Sequence, residues 1–156
     1  IQNLHHEIEL VVALQKGGKD ISFEEALDCV FGYAVGIDLT RRDLQGAAKK
    51  MGRPWDSGKA FDESAPCSAI LPATFIGHPQ KGSISLDVNG DTRQQGDLEQ
   101  MIWKIPEVIM KLSQLFQLAP GDLIYTGTPA GVGPLQSGDL VQGRIEAIGE
   151  LEITFR

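Results

Sequence analysis

The chain has 156 residues, of which 42% are hydrophobic and 22% charged, and its formal net charge is −7. This length and composition predict one globular domain over residues 1–156 and exclude a disordered or fibrous protein. The acidic balance disfavours nucleic acid and anionic membrane surfaces as partners. The longest purely apolar run, Leu10 to Leu14, is far shorter than the roughly 20 residues of a membrane span.

The two cysteines, Cys29 and Cys67, are far apart in the sequence. They lack the close spacing of a zinc site, and two cysteines are too few for a disulfide scaffold. We therefore expect reduced core thiols and a reducing compartment, the cytoplasm or, in a eukaryote, the mitochondrion. The sequence opens on Ile1 rather than methionine, so we also expect further residues upstream.

Hydrophobic periodicity predicts strands and helices in alternation along one continuous domain. In chain order, the predicted elements are a strand over residues 4–14, a helix over 22–31, a strand over 33–39, a helix over 43–51, a long irregular connection over 53–76, a hairpin over 84–95, a helix over 98–116, a strand over 123–126, a glycine-rich loop over 127–134, and two strands around 140–148 and 151–155. The predicted fold is an α+β protein dominated by sheet.

Local signals mark the ends of several of these elements. A capping-box pattern at Ser22 opens the first predicted helix, and Thr40 is the predicted N-cap of the second. Asn89 followed by Gly90 is the strongest short hairpin signal. Pro106 is expected to kink or split the long helical pattern around it, because proline removes a helical hydrogen bond.

Three acids are candidates for a shared site. Glu7 and Glu9 stand at i and i+2 on the first strand, so both side chains point to the same face, with Cα atoms roughly 6.5–7 Å apart. Glu-x-Glu is also common on solvated strand faces. Here the strand continues into wholly apolar sequence, which places both acids at the mouth of a buried element, and Asp38 ends another buried run. Because buried carboxylates are rarely left unpaired, the three acids predict a bound cation.

The types of ligand indicate which cation. Three carboxylates without a thiolate or imidazole partner suit Mg²⁺, Mn²⁺ or Ca²⁺. His5 and His6 do not have the spacing of a zinc motif, and we expect them to pack or to support the site; His78 stands alone in a loop. Without a cation, two carboxylates about 4 Å apart repel by roughly 4 kcal/mol at an effective dielectric near 20. A bound metal would therefore also stabilise the fold.

Basic and polar residues elsewhere are candidates for contact with an anionic substrate. Lys59 stands among uncharged residues, and Arg42 and Gln45 share one helix face at i, i+3. Each is an ordinary surface residue in many proteins, but beside three acids they would offset charge or bind an anion. The glycine-rich loop over 127–134 is either a simple turn or a set of backbone N–H groups for a carboxylate. It lacks the Gly-Lys-Ser/Thr of a phosphate-binding loop and the helix of a dinucleotide site.

Four ordered segments carry a family resemblance that spans essentially the whole chain. They are LHHEIEL (residues 4–10), DLTRRDLQ (38–45), GKAFD (58–62) and TGTPAGVGP (126–134). The chain resembles the fumarylacetoacetate hydrolase family, and within it the acylpyruvate and fumarylpyruvate hydrolases. The resemblance implies a mixed β-sandwich roll with short helices, assembled as a homodimer, that binds Mg²⁺ or Mn²⁺.

The resemblance also implies a role for each candidate residue. The metal ligands would be Glu7, Glu9 and Asp38. Lys59, Arg42 and Gln45 would be catalytic and face a small anionic keto-acid substrate. Thr128, with Gly127, would bind the carboxylate end of that substrate.

The implied reaction is hydrolysis of a C–C bond in a 2,4-diketo acid through a metal-stabilised enolate. The same scaffold is also associated with oxaloacetate decarboxylation or tautomerisation and with diene-dioate isomerisation, and the candidate residues do not distinguish these reactions. Family members carry an upstream histidine–glutamate pair that would activate the water, and that segment would precede Ile1. Without such a pair, the alternative is a metal-binding module that does not turn over substrate.

Overall fold

The computed structural model describes residues 3–156, so the predictions about Ile1 and the chain before it lie outside the described residues. The strands are β1 (Leu4–His6), β2 (Ile8–Leu14), β3 (Val30–Ile37), β4 (Thr40–Arg41), β5 (Leu71–Pro72), β6 (Ser83–Val88), β7 (Asp91–Asp97), β8 (Leu123–Tyr125), β9 (Gly133–Pro134), β10 (Leu140–Ile145) and β11 (Gly149–Thr154). The helices are α1 (Arg42–Lys50), α2 (Asp56–Lys59), α3 (Ala73–Ile76) and α4 (Ile105–Leu115), with 3₁₀ turns at Ala26–Cys29 and Leu98–Gln100.

The strands form three antiparallel sheets. Their orders are β5-β3-β2-β8, β11-β10-β6-β7 and the small β4-β1-β9. The prediction of a sheet-dominated α+β fold is confirmed. Within residues 3–156, no helix is both long and apolar enough to cross a membrane.

The core lies between the two four-stranded sheets. All seven residues of β2 are buried, as its wholly apolar C-terminal half predicted, and β2 is flanked by β3 on one side and β8 on the other. The sheets approach closely at Gly143, where an added Cβ atom would lie 3.0 Å from the Ile8 side chain and 3.3 Å from that of Val35. The buried apolar side chains of both sheets belong to one continuous cluster.

The helix predicted over residues 22–31 is wrong. The Glu25 backbone N–H does donate to the Ser22 hydroxyl at 3.3 Å, as one half of a capping box requires, but only a 3₁₀ turn follows. Val30 instead begins β3 and pairs with Leu14 of β2. Because Val30 and Phe31 join the sheet beside β2, tertiary contacts override the helical pattern at the end of this segment.

The second predicted helix is present as α1, but its predicted cap is wrong. The residue at the N-cap is Arg41, with no capping side chain, and the Thr40 hydroxyl faces Asp38 and Lys59 instead. Pro106 acts as predicted, because it lies in the first turn of α4 and the pattern before it forms a separate 3₁₀ turn.

Two further local predictions are confirmed in the main. Asn89 and Gly90 both have positive φ and join β6 to β7, as a type I′ hairpin turn requires. Cys29 and Cys67 are both free thiols. Cys29 is buried, whereas Cys67 is only half-buried and lies outside the core.

Candidate metal and substrate site

The three acids meet where β1, β2 and β3 adjoin. The single strand predicted over residues 4–14 is wrong, because the chain passes from one sheet to another at Glu7, the residue between β1 and β2. Glu9 lies on β2, and Asp38 directly follows β3. The Asp38 backbone N–H donates to the Glu7 carbonyl at 2.8 Å, which keeps these two backbones in register. One carboxyl oxygen from each acid lies within 4.8 Å of the other two. The structure thus brings together the three acids that the sequence pattern grouped.

Lys59, from the end of α2, reaches into this cluster. Its Nζ donates to Glu7 Oε2 and Asp38 Oδ2, both at 2.7 Å, and to the Thr40 hydroxyl at 2.8 Å. The side chains of Lys59 and Glu7 are 24% and 10% exposed, so water screens this ion pair only weakly. A lysine predicted only to lie near the acids is therefore in direct contact with two of them.

Arg42 contacts the cluster from the first turn of α1. Its guanidinium donates to Glu7 Oε1 and to Gln45 Oε1, both at 2.6 Å, and its Nε donates to His5 Nδ1 at 3.3 Å. The i, i+3 relation of Arg42 and Gln45 is what places the amide beside the guanidinium. His5 therefore supports Arg42 rather than facing the acids, and its other ring nitrogen bonds Asn3.

Burial and these contacts shift the pKa values of the cluster in different directions. Burial alone would raise the pKa of Glu7, but hydrogen bonds from Lys59 and Arg42 outweigh it and lower that pKa. Burial raises the pKa of Asp38 more than its bond from Lys59 lowers it. For Lys59, burial is outweighed by the bonds to Asp38 and Glu7, and the pKa is raised. The lysine therefore stays a cation.

Of the three acids, Glu9 is the one that forms no ion pair with a lysine or arginine of residues 3–156. It is 4% exposed, and its one hydrogen bond is accepted from the Gly127 backbone N–H at 2.8 Å. Burial, with smaller contributions from Asp38 and Glu7, raises the pKa of Glu9 to about 7. The glycine-rich loop does present an N–H to a carboxylate, as the sequence suggested, and here that carboxylate is the protein's own Glu9.

The acid cluster fits a hard divalent cation. Oxygens on opposite sides of a magnesium ion lie about 4.2 Å apart, since each Mg–O bond is about 2.1 Å, so three carboxyl oxygens within 4.8 Å need only small movements to share one ion. Glu7 and Asp38 already share one cationic atom, Lys59 Nζ. Glu9 is buried without a cation. An all-carboxylate donor set is the chemistry that Mg²⁺ and Mn²⁺ prefer.

Sequence reasoning missed Gln94, a fully buried side chain on β7. Its amide bonds His6, the Ile8 backbone, Thr128 and Pro129. The sequence pattern at Thr40 predicts only a helix cap and gives no sign of its bond to Lys59. An alternating hairpin strand gives one signal for Gln94, because position 94 falls on the inward face of β7, where a polar residue needs a partner.

The glycine-rich loop separates the acids from a large cavity. This cavity has a volume of about 690 Å³ and is lined by Gly127, Thr128 and Pro129 on one side and by Met101 and Trp103 on another. Glu7, Glu9 and Asp38 do not line it. On β2, Leu10 faces the cavity and Glu9 the acid cluster, since successive side chains point to opposite faces.

Comparison with known proteins gives consistent matches. Residues 1–156 match the family described as fumarylacetoacetate (FAA) hydrolase C-terminal. The chain is 47% identical over 152 residues to a fumarylpyruvate hydrolase of Ralstonia sp., covering 97% of this chain and 79% of that protein. It is 46% identical over 154 residues to oxaloacetate tautomerase YcgM of Escherichia coli (strain K12), covering 98% and 66%.

A solved structure is similar over nearly the whole chain. It is the crystal structure of fumarylpyruvate hydrolase from Pseudomonas aeruginosa in complex with Mn²⁺ and pyruvate, with a TM-score of 0.96 and 50% sequence identity. The match covers 99% of this chain and 67% of that one. This chain belongs to the fumarylacetoacetate hydrolase family. It spans between 66% and 79% of the length of these three proteins.

Proposed function

We propose that this protein is a divalent-metal-dependent hydrolase that cleaves a C–C bond in 2,4-diketo acids of the acylpyruvate class, with fumarylpyruvate as the first candidate. The observation that carries the proposal is the convergence of the Glu7, Glu9 and Asp38 oxygens within 4.8 Å. The match to a fumarylpyruvate hydrolase whose structure contains Mn²⁺ and pyruvate supports it. Glu7, Glu9 and Asp38 are the proposed ligands of Mg²⁺ or Mn²⁺.

When bound, the divalent ion supplies Lewis-acid stabilisation of the enolate that leaves as pyruvate. The chain's own residues bind and orient the keto acid. Lys59, held as a cation, stabilises developing negative charge in a half-buried setting where electrostatic interactions are strong. Arg42, fixed by Glu7 and Gln45, adds a second positive charge for the anionic substrate.

Thr128 is the proposed contact for the carboxylate end of the substrate. Its hydroxyl lies on the glycine-rich loop, next to the Gly127 N–H that bonds Glu9. The same loop therefore contacts Glu9, a proposed metal ligand, and carries Thr128, the proposed contact for the substrate. In this arrangement Gly127 influences substrate binding indirectly, because its N–H holds the Glu9 carboxylate in place.

A general base for water is not evident among the described residues around the acids. His5 has both ring nitrogens engaged, by Asn3 and Arg42, and His6 Nδ1 bonds Gln94. We propose that the histidine–glutamate pair implied by the family resemblance performs this step from a segment before Ile1.

The proposal is tested by assaying turnover after removal of metal with a chelator and re-addition of Mn²⁺ or Mg²⁺. Acetylpyruvate and fumarylpyruvate are the substrates, and loss of their ultraviolet absorbance with release of pyruvate is the readout. We expect metal-dependent cleavage of one or both. Absence of cleavage by the full-length protein with either metal would contradict the proposal and favour a metal-binding module without turnover.

Oxaloacetate tautomerisation is the second candidate, favoured by the 46% identity to the Escherichia coli tautomerase. Both reactions place negative charge on an enolate next to a carboxylate, so the acid cluster serves either. Parallel assays decide between them. If oxaloacetate is tautomerised or decarboxylated much faster than either acylpyruvate is cleaved, the hydrolase proposal is wrong. The homodimer stays a prediction from the resemblance, and sedimentation equilibrium of the full-length protein tests it.

A further inference from the structure

Gln94 makes four hydrogen bonds, which connect the β1–β2 junction to the glycine-rich loop. Its Oε1 accepts from the Ile8 backbone N–H at 3.1 Å and from His6 Nδ1 at 2.9 Å. Its Nε2 donates to Thr128 Oγ1 at 2.8 Å and to the Pro129 carbonyl at 2.9 Å. The side chain is 0% exposed, so these contacts replace water completely.

The orientation of this amide follows from its backbone partners. A backbone N–H can only donate, so the atom facing Ile8 is the oxygen, and a carbonyl can only accept, so the atom facing Pro129 is the nitrogen. His6 Nδ1 must then carry a hydrogen, because it faces an oxygen that has none to give. Thr128 Oγ1 must likewise accept from Gln94.

This arrangement leaves the Thr128 hydroxyl hydrogen free to donate. A hydroxyl offers one hydrogen and two lone pairs, and Gln94 takes up a lone pair. Within residues 3–156, Thr128 has no acceptor for its hydrogen. Thr128 is half-buried, so in the free protein water can accept this hydrogen, and a substrate carboxylate or keto oxygen can take the place of that water.

The loop that carries Thr128 is seated closely on the strand that carries Gln94. Gly131 has φ of +101°, and an added Cβ atom there would lie 2.2 Å from the Arg93 carbonyl on β7. At Gly96, an added Cβ would lie 3.0 Å from the Pro129 side chain. These contacts hold the loop against β7 on both sides of Gln94, so the Gln94–Thr128 bond is not an isolated surface contact.

We propose that Gln94 is a positioning residue, which locks the glycine-rich loop to the β1–β2 junction and turns the Thr128 hydroxyl hydrogen toward the substrate. Gln94 contacts neither the three acids nor the substrate, and it acts through Thr128. The inference rests on the proposed function, because it assumes that Thr128 binds the keto acid.

Gln94→Glu tests this inference because it changes only one side of the contact. The carboxylate keeps an acceptor for Ile8 and His6, but it cannot donate to Pro129, and it accepts the Thr128 hydrogen that would otherwise go to the substrate. With Mn²⁺ present, we expect the Kd for pyruvate to rise at least about tenfold, near the lower end of the cost of one hydrogen bond to a charged group. KM should rise similarly with kcat within threefold, because the lost contact lies away from the reacting bond.

Three matched variants sharpen the test. Thr128→Val should weaken pyruvate binding about tenfold, and the double variant should be no weaker than either single one, since both remove the same hydrogen bond. Gln95→Glu adds the same charge at an exposed neighbour and should bind pyruvate within twofold of wild type. Should Gln94→Glu fail to fold, Gln94→Met provides the uncharged replacement, with the same expected Kd and the same non-additivity with Thr128→Val.

The outcomes separate this inference from the proposed function. Mn²⁺ affinity without pyruvate should stay within threefold of wild type in Gln94→Glu. Wild-type pyruvate binding in that variant, or a roughly hundredfold additive loss in the double variant, would overturn the positioning role. An unchanged Kd in Thr128→Val would also overturn it, because Gln94 would have nothing to act through. Failure of the wild-type protein to cleave any acylpyruvate would instead contradict the proposed function.

Discussion

Two clusters of charged side chains in this protein each hold one more acid than base, yet they differ in what surrounds the extra acid. On the β11-β10-β6-β7 sheet, Arg144 bonds Asp87 at 2.9 Å and Glu150 at 3.2 Å, and the Glu150 side chain is 74% exposed. In the acid cluster, Lys59 and Arg42 face three acids, and Glu9 is 4% exposed. Water balances the extra charge in the first cluster and is excluded from the second.

The difference shows why the number of charges alone does not identify a site. Arg144 lies directly opposite Glu150 in strand register, so their pairing follows from ordinary cross-strand contacts. An exposed pair of this kind contributes roughly 0–1 kcal/mol to stability. Burial of an acid without a cationic partner costs stability, and folding has no need of it. The acid cluster is therefore the one that calls for a bound ion.

The largest expected effect comes from removing the extra acid. Glu9→Gln should lower Mn²⁺-dependent turnover by at least roughly 1,000-fold. Altering a residue that only supports a metal ligand costs roughly 10–100-fold, and loss of the charged ligand itself should cost more. It should also abolish the rise in Tm on adding Mn²⁺. Thermal unfolding with and without Mn²⁺ measures this, with Glu150→Gln as the matched control. A variant that retains both properties would show that Glu9 is not a ligand.

Removing the cation from the same cluster should separate binding from catalysis. Lys59→Ala should reduce kcat by about 10²–10³-fold, since it removes a charge that stabilises the transition state. Mn²⁺ binding should be at least as tight as in wild type, because Lys59 Nζ bonds Glu7 and Asp38, two of the three acids proposed to hold the metal. Calorimetric titration with Mn²⁺ and steady-state kinetics check the two parts. Unchanged kcat would remove Lys59 from the mechanism.

Burial of Glu9 predicts a pH dependence of the metal-free protein. The pKa of Glu9 is raised from 4.5 to about 7, so the folded state binds this proton more tightly than the unfolded state does. The resulting stability is full below pH 4.5 and is lost as pH rises to 7, by about 3 kcal/mol at 1.36 kcal/mol per pKa unit.

Chemical unfolding of wild type and Glu9→Gln at pH values between 4.5 and 8, without metal, isolates this contribution. The difference in unfolding free energy between the two proteins should change steadily in favour of the variant as pH rises to 7. A constant difference would show that Glu9 is ionised throughout. Glu7 has a lowered pKa, so its own titration lies below this window.

The smallest effect is expected in the exposed cluster. Arg144→Ala should change the free energy of unfolding by about 1 kcal/mol and leave turnover at the wild-type level. Water replaces its contact with Glu150, which is 74% exposed, and the main cost is the loss of the partner of Asp87, which is 16% exposed. Urea unfolding and the acylpyruvate assay provide the measurements. Destabilisation of several kcal/mol would mean that burial is not what separates the two clusters.

Much of the fold was predictable where neighbouring residues decide the conformation. Asn89 and Gly90 form a turn whatever surrounds them, since their backbone preferences match it, and Pro106 restricts the residues beside it. The wholly apolar half of β2 predicted its burial. The segment over residues 22–31 was not predictable in this way, because its pairing with β2 depends on residues distant in the chain.

The candidate site divides along the same line. The sequence by itself grouped Glu7 with Glu9 by their i, i+2 spacing, although Glu7 lies between β1 and β2 rather than on one continuous strand, and the family segments named the remaining residues. Only the tertiary structure decided that Lys59 bonds two of the acids and that Gln94 bonds Thr128. Those contacts join residues far apart in the chain, and no local preference encodes them. They form because a buried polar group must find its partner in whatever the packed sheets bring beside it.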